Sequence, residues 1–226
     1  MRTDMHNKTR FFPLGWLALA IIVIPNVTLA AGRERTWELQ ASLFSTSSLS
    51  LKGEQGSGLA INSDLGFGVG ATYNFNNHWA LGFGLDWVSP RYTATYIPEA
   101  GPPAQTLRAN MDTLSLQVKG TYNFLEGPIT PFVQAGFGWT NVDSNIASGP
   151  PSTGCWWDPW WGYICDTFYS TYGDDLVSWS GAVGVRWDIS PYFSLKGSYG
   201  ILEMNTSPNT QDASIDSFRA DFVWRY

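Results

Sequence analysis

The chain has 226 residues, enough for one domain of moderate size, and only 14% of them are charged. Its formal net charge of −6 argues against nucleic acid as a partner. With 12 tryptophans and 23 glycines, the composition favours an all-β protein with tight turns.

The first part of the chain has the order of a secretory signal peptide. Basic residues come first, an uncharged apolar run covers residues 14–24, and the small residue Ala30 ends the segment. The sequence therefore predicts a signal peptide over residues 1–30, cut before Ala31, and a single mature domain over residues 31–226. A membrane anchor is the alternative, although the apolar run is short for a spanning helix of about 20 residues.

Cleavage would leave a mature chain with 10 basic and 18 acidic residues, a net charge of −8. No later stretch is apolar without interruption over about 18 residues, so the sequence predicts no membrane helix in the mature chain. A mature chain that crosses a membrane would therefore have to do so with strands.

Eight segments of the mature chain alternate with a period of two, as the side chains of a strand do. In the last segment, Phe222 and Trp224 lie on one face, while Asp221 and Arg225 lie on the other. The other seven segments show the same split, and they are residues 37–43, 65–75, 79–87, 114–124, 133–140, 177–188 and 193–201. We predict eight antiparallel strands.

The connections between these segments alternate in length. The short turns are residues 76–78, 125–130 and 190–191, and the longer loops are residues 46–62, 97–106, 142–174 and 204–213. Short turns on one side and long loops on the other are the pattern of a transmembrane β-barrel. The long third loop, about 142–174, is then extracellular, and an even number of strands brings both chain ends to the periplasmic side.

The size of the side chains on each face distinguishes a transmembrane barrel from a water-soluble one, whose apolar face would point inward. The apolar rows carry Trp, Phe, Leu and Tyr, whereas the opposite rows carry many glycines. The narrow interior of an eight-stranded barrel is filled by side chains and has no room for all those aromatic rings. Aromatic residues also end the rows next to the short turns, as in the girdles at membrane interfaces. We therefore predict that the apolar face contacts lipid.

The polar face carries charged residues that would meet inside the barrel. They are Glu38, Asp86, Lys119, Arg186, Asp188, Lys196, Arg219, Asp221 and Arg225. Buried charges are tolerated mainly when they are paired, and 4 acids against 5 bases are nearly balanced. We expect an ion-pair network that plugs and stiffens the barrel, and the alternative is the lining of a transport path. A wide water channel is not expected.

The chain resembles the small outer-membrane β-barrel family, the group around OmpX, OmpW and the membrane domain of OmpA. The resemblance rests on the signal peptide, the alternating segments, strings such as Gly66-Phe67-Gly68-Val69-Gly70 and the aromatic last strand. It covers nearly the whole mature chain and implies a bacterial outer-membrane protein in contact with lipids and lipopolysaccharide.

The resemblance also implies how the barrel is assembled. In that family an aromatic last strand resembles the signal that the barrel-assembly machinery reads, which here consists of Phe222, Trp224 and Tyr226. The family usually ends in Phe, so the final Tyr226 departs mildly from its pattern.

The two cysteines of the chain, Cys155 and Cys165, both lie in the third loop, and export favours a disulfide between them. A metal site is disfavoured because the one histidine of the mature chain, His78, lies on a short turn. The cysteines enclose a set of aromatic residues, namely Trp156, Trp157, Trp160, Trp161 and Tyr163. This set is either a surface for an extracellular protein or another surface ligand, or a cover that folds over the barrel mouth or dips into the outer leaflet.

The long loops are also acidic. Their carboxylates form either a solvated surface or contacts to divalent cations beside anionic lipopolysaccharide. The spacing of these carboxylates supports no dedicated metal site.

These observations leave a structural or surface-interaction barrel as the first functional hypothesis. The second is a narrow conduit for small apolar solutes, which the resemblance to OmpW implies. Hydrolytic enzymes on such barrels generally need a His near the outer leaflet, and His78 lies on the other side. We therefore predict no enzymatic activity, no catalytic residues and no cofactor.

Overall fold

The computed structural model describes residues 32–52, 58–96, 105–205 and 213–226. The predicted signal peptide, residues 1–30, lies outside the described residues. None of the described segments forms a helix that is long and apolar enough to cross a membrane.

The described residues form fourteen β-strands, which we number in chain order. They are β1 Thr36–Thr46, β2 Leu49–Lys52, β3 Gly58–Ile61, β4 Leu65–Asn74, β5 Trp79–Val88, β6 Arg91–Tyr96, β7 Gln105–Asn110, β8 Asp112–Asn123, β9 Ile129–Ala147, β10 Ser152–Asp158, β11 Gly162–Phe168, β12 Thr171–Asp188, β13 Phe193–Met204 and β14 Ala213–Arg225.

Eight of these strands close into an antiparallel barrel in the order β1, β14, β13, β12, β9, β8, β5, β4. Strand β1 completes the ring because it pairs with β4 on one side and with β14 on the other. Leu39, for example, lies opposite Ala71 of β4 and opposite Trp224 of β14. The prediction of an all-β, eight-stranded antiparallel barrel is therefore confirmed.

The other six strands lie in the long connections, where the sequence predicted only loops. Strands β2, β3, β6 and β7 form a four-stranded sheet, and β10 and β11 form a two-stranded ribbon. Strand β9 also continues to Ala147, and β12 already begins at Thr171. These segments pair through their backbones without regular apolar alternation, because they have no lipid on one face to require it.

Side-chain direction in the barrel is the reverse of that in a water-soluble protein. Outward apolar residues such as Val183 and Leu116 are 57% and 47% exposed, whereas inward Thr140 and Ser178 are fully buried. The exposed apolar rows form the surface that the membrane covers, since lipid tails accept these side chains and water does not.

The two ends of the apolar rows differ. At the end with the short turns, aromatic residues pair across strands, as in Trp37–Tyr73 and Trp79–Tyr122, with ring centroids 5.1 and 4.7 Å apart. At the other end, the outward rows of β8, β9, β12, β13 and β14 run into carboxylates, which are Asp112, Asp143, Asp175, Glu203 and Asp216. We call these the turn end and the loop end of the barrel.

Strands β8 and β9 approach each other so closely that an inward glycine between them can be tested by substitution. A Cβ added at Gly138 would lie 1.9 Å from the backbone oxygen of Leu116. Because backbone cannot yield as a flexible side chain does, Gly138→Ala should lower the free energy of unfolding by roughly 1–3 kcal/mol. Urea unfolding in lipid vesicles, followed by tryptophan fluorescence, measures this difference.

The matched control is Gly181→Ala, on the outward face, where an added Cβ would meet nothing within 4 Å. The control should unfold at the same urea concentration as the unchanged protein. Equal unfolding of the Gly138→Ala variant would contradict the packing described above.

Candidate functional site

A cluster of buried charges lies inside the barrel near the turn end. The guanidinium group of Arg186 donates to both carboxylate oxygens of Glu38, at 2.5 and 3.0 Å, and its Nε donates to Asp188 at 2.7 Å. The side chains of all three residues are at most 2% exposed. This two-point geometry fixes the orientation of Arg186 as well as its charge.

Further cations surround the same two carboxylates. Arg225 donates to Glu38 at 3.3 Å and to Asp188 at 3.1 Å, and the Lys196 ammonium lies 3.7 Å from Glu38. The hydroxyl of Ser194 donates to Asp188 at 2.5 Å. Strands β1, β12, β13 and β14 thus meet in one network, which we call the turn-end cluster.

Arg33 also belongs to this cluster, although the alternation of the strands does not predict it. Its guanidinium donates to Asp188 at 3.1 Å and to the carbonyl of Leu125 at 2.5 Å, and its backbone N–H donates to Asn77 at 2.9 Å. The side chain is 2% exposed. Arg33 precedes β1, so the alternation of the strands carried no signal for its position.

A second cluster, the middle cluster, lies farther from the turn end. Asp86 accepts hydrogen bonds from Lys119 at 2.9 Å and from two nitrogens of Arg219, one of them at 3.1 Å. The Nε of Arg219 lies 3.4 Å from Asp221. The ring of Phe44 covers the guanidinium group, with its centroid 4.9 Å from Cζ.

The structure places all nine predicted interior residues inside the barrel and divides them between the two clusters. With Arg33, 6 cations face 4 carboxylates, so the described interior is more positive than the sequence predicted. Two aromatic residues, Phe44 and Phe132, also point inward and are 9% and 3% exposed. The alternating segments stopped at position 43 and started again at position 133, so they left both residues out.

A cavity of about 90 Å³ lies on the loop side of the middle cluster. Its lining mixes polar residues, such as Thr113, Ser115 and Gln117 of β8, with the apolar residues Phe44 and Ile61. The two clusters occupy the barrel between this cavity and the turn end.

The ribbon of β10 and β11 contains the predicted aromatic set. Cys155 and Cys165 lie opposite each other and form a disulfide. Trp157 lies opposite Tyr163 on the same face as the disulfide, and these two side chains are 68% and 73% exposed. Trp156 lies on the other face, where its ring is 5.8 Å from that of Phe168.

The turn of the ribbon carries the two most exposed tryptophans of the set, Trp160 and Trp161, at 83% and 77%. The Asp158 carboxylate accepts hydrogen bonds from both of their backbone N–H groups, at 2.8 and 3.1 Å. Gly162 closes the turn with a φ of 75°, which a residue with a side chain rarely adopts. The turn therefore leaves both indole rings largely uncovered by the rest of the protein.

The strand extensions outside the barrel are tied together beneath the ribbon. The hydroxyl of Tyr92, from the four-stranded sheet, donates to the carbonyl of Ser144 in β9 at 3.0 Å. Burial raises the pKa of the Tyr92 hydroxyl. The amide of Asn145 donates to Asp112 at 2.7 Å. Both bonds stiffen the base from which the ribbon projects.

The predicted assembly signal lies on the outer face of β14. The ring of Trp224 is 5.7 Å from that of Phe193, and Phe222 lies opposite Ala41 of β1. The N–H of Tyr226 donates to the carbonyl of Trp37 at 2.9 Å, while its side chain is 76% exposed. Recognition of these residues during assembly stays a prediction.

His78 lies at the turn end, as predicted. Its Nδ1 is 2.8 Å from the carbonyl of Asn123, and its Nε2 is 3.3 Å from the Glu126 carboxylate. Across the described part of the chain, no group of three or more His, Cys, Asp or Glu residues could hold a metal ion.

Removal of one carboxylate tests the turn-end cluster. Glu38→Gln leaves Arg186 and Arg225 with Asp188 as their one remaining shared carboxylate, which should lower the free energy of unfolding by about 3–5 kcal/mol. Urea unfolding in lipid vesicles measures the loss. Glu34→Gln is the control, because Glu34 is 58% exposed and its 3.9 Å contact to Arg35 is at the surface. A Glu38→Gln variant as stable as this control would rule out the network as a source of stability.

Removal of the disulfide tests the order of the ribbon separately from that of the barrel. Closing a ring of this size contributes about 2–3 kcal/mol to local order. The double variant Cys155→Ser/Cys165→Ser should therefore be cut faster by chymotrypsin after the ribbon aromatics, while the barrel unfolds at an unchanged urea concentration. Equal cleavage rates would show that the ribbon is ordered without its disulfide.

Comparison with known proteins agrees with this architecture. The outer membrane protein beta-barrel domain family matches residues 16–226. The outer membrane protein OprG of Pseudomonas aeruginosa has a similar fold, with a TM-score of 0.57 and 12% identity, over 88% of this chain and 99% of that one. The search of curated proteins found no match.

Two further solved structures are less similar. The neisserial surface protein A matches with a TM-score of 0.48 and 15% identity, over 84% of this chain and 95% of that one. The N-terminal β-barrel domain of Pseudomonas aeruginosa OprF matches with a TM-score of 0.46 and 13% identity, over 86% and 99%. The family match covers most of the chain, which therefore belongs to the outer membrane protein β-barrel domain family and is an integral β-barrel protein of the bacterial outer membrane.

Proposed function

We propose that the protein is a rigid outer-membrane anchor that presents the ribbon of its third loop for binding at the cell surface. The observation that carries the proposal is the exposure of the ribbon aromatics, from 41% for Trp156 to 83% for Trp160. Exposed aromatic groups of this kind mark interaction sites, because burying one of them against a partner removes about 150–250 Å² from water.

The position of the ribbon supports binding in water rather than insertion into the outer leaflet. The ribbon lies between β9 and β12 in the chain. At the loop end, the extensions of these two strands continue beyond the outward carboxylates Asp143 and Asp175. Carboxylates are costly in the hydrocarbon region. The ribbon therefore begins beyond the apolar band.

The buried clusters support the anchor part of the proposal. Bonds from Arg186 and Arg225 to Glu38 link residues that are 148 and 187 positions apart in sequence. Such links oppose relative movement of the strands, and their side chains fill the barrel toward the turn end. A rigid base lowers the entropy that the ribbon would lose on binding a partner.

A narrow conduit for small apolar solutes is the second candidate. The cavity of about 90 Å³, whose lining includes Phe44 and Ile61, favours it, but a solute would have to pass both charged clusters. Absence of conductance and of solute uptake in planar bilayers and vesicles supports the anchor, and a steady flux of either kind would support the conduit. Lipid modification that disappears with His78→Ala would support an enzyme instead.

The proposal also includes the surroundings of the barrel. Membrane lipids cover the apolar rows, and lipopolysaccharide is the expected neighbour at the loop end. The barrel-assembly machinery is the expected partner of β14 during insertion.

Quenching of tryptophan fluorescence tests the presentation of the ribbon. The protein in lipid vesicles is compared with a variant in which Trp156, Trp157, Trp160 and Trp161 are all Phe, so that the difference isolates these four residues. We expect acrylamide in the water to quench this difference signal strongly and lipids with brominated tails to leave it unchanged, because the ribbon lies beyond the apolar band.

The internal control is the outer wall of the barrel, where Trp179 and Trp187 of β12 point outward and are 52% and 42% exposed. Brominated lipids should quench the fluorescence of these wall tryptophans in both proteins. Strong quenching of the ribbon signal by brominated lipids would place the ribbon in the leaflet and overturn the proposed function.

A further inference from the structure

The charge of the third loop is one-sided. The sequence has no Lys, Arg or His between Lys119 and Arg186. Over residues 142–175 it has five carboxylates, which are Asp143, Asp158, Asp166, Asp174 and Asp175. The third loop is therefore anionic and attracts cations.

The aromatic rings of the ribbon are suited to the same kind of ligand. Trp157 and Tyr163 lie side by side on one face, and Trp160 and Trp161 extend from the turn with most of their surface uncovered by the protein. The face of an indole or phenol ring attracts a guanidinium or ammonium group placed over it, and Trp does so best. The third loop thus offers a cation two kinds of attraction, one from the ring faces of the ribbon and one from the negative charge of the loop.

The backbone of the ribbon adds a third feature. Strands β10 and β11 pair with each other over seven positions, from Ser152–Phe168 to Asp158–Gly162. Within the described residues neither strand pairs with a third one. Their outer edges can therefore accept an extended polypeptide by strand addition, in which backbone hydrogen bonds give affinity and side chains give specificity.

We propose that the ribbon is a docking surface for an extended polypeptide segment rich in arginine and lysine. The inference rests on the proposed function, since it names the partner of the same ribbon. A neutral glycan would stack on the rings but gain no charge–charge attraction from the carboxylates, and an anionic lipid surface would be repelled by them. The charge of the ribbon therefore favours the cationic polypeptide over both.

The test uses the full mature chain in nanodiscs of zwitterionic lipid and two labelled twelve-residue peptides. One alternates Arg and Thr, and the other has neutral citrulline in place of each Arg. Fluorescence anisotropy should show binding of the Arg peptide and at least tenfold weaker binding of the citrulline peptide. Binding of the Arg peptide should weaken as salt rises, because both charged surfaces are exposed and screened.

Variants separate the contributions of charge and rings. Asp166→Asn/Asp174→Asn/Asp175→Asn removes three carboxylates without altering Asp158, which holds the turn. This variant should bind the Arg peptide at least fivefold more weakly. Trp160→Leu/Trp161→Leu should weaken the binding of both peptides. Glu34→Gln, which removes a carboxylate at the turn end, should leave the binding of both peptides unchanged. Heat-modifiability on gels checks that each variant is folded, and the Asn variant still decides the matter where the Leu variant fails to fold.

Equal binding of the two peptides, or no loss with the Asn variant, would overturn the inference. Binding of maltoheptaose or of anionic vesicles without binding of the Arg peptide would also overturn it. These failures differ from failure of the proposed function, because acrylamide quenching would still place the ribbon tryptophans in water. If brominated lipids quench them instead, both the proposed function and this inference fail.

Discussion

Closure of the backbone hydrogen-bond ladder is the constraint on which the rest of this structure depends. In the hydrocarbon region no water can satisfy a free N–H or C=O group, so a sheet survives there only without edges. Strand β1 meets this condition because β4 pairs with one of its edges and β14 with the other. Closure then sets the roles of the side chains: the outward rows must be apolar, and a narrow interior must hold the polar residues.

The paired charges inside the barrel make it rigid. Charges inside an eight-stranded barrel have little water, so each needs a partner of opposite sign. Glu38 and Asp188 supply this partner to Arg33, Arg186 and Arg225, and the bonds join the first strand to the last ones. The result is a barrel whose interior is filled toward the turn end. The features that differ most from a plain barrel lie outside it, in the ribbon of the third loop.

The sequence predicted the barrel and most of its interior because lipid and a narrow lumen impose a strict alternation. It missed Arg33, Phe44 and Phe132, which lie at or beyond the ends of the alternating segments. It also missed the strands of the long connections, such as β10 and β11, because these pair through backbone groups without a regular apolar face. The disulfide could be predicted from compartment and cysteine count alone, whereas the exposure of the indole rings depends on the geometry of the turn at Asp158.

Hydrogen exchange of the backbone amides in lipid bilayers tests the central claim most directly. A closed barrel predicts that the amides of β1 and β14 are protected as strongly as those of β8 and β9, because all four strands have neighbours on both sides. Fast exchange confined to β1 and β14, beside slow exchange in β8 and β9, would show an open sheet and contradict the account.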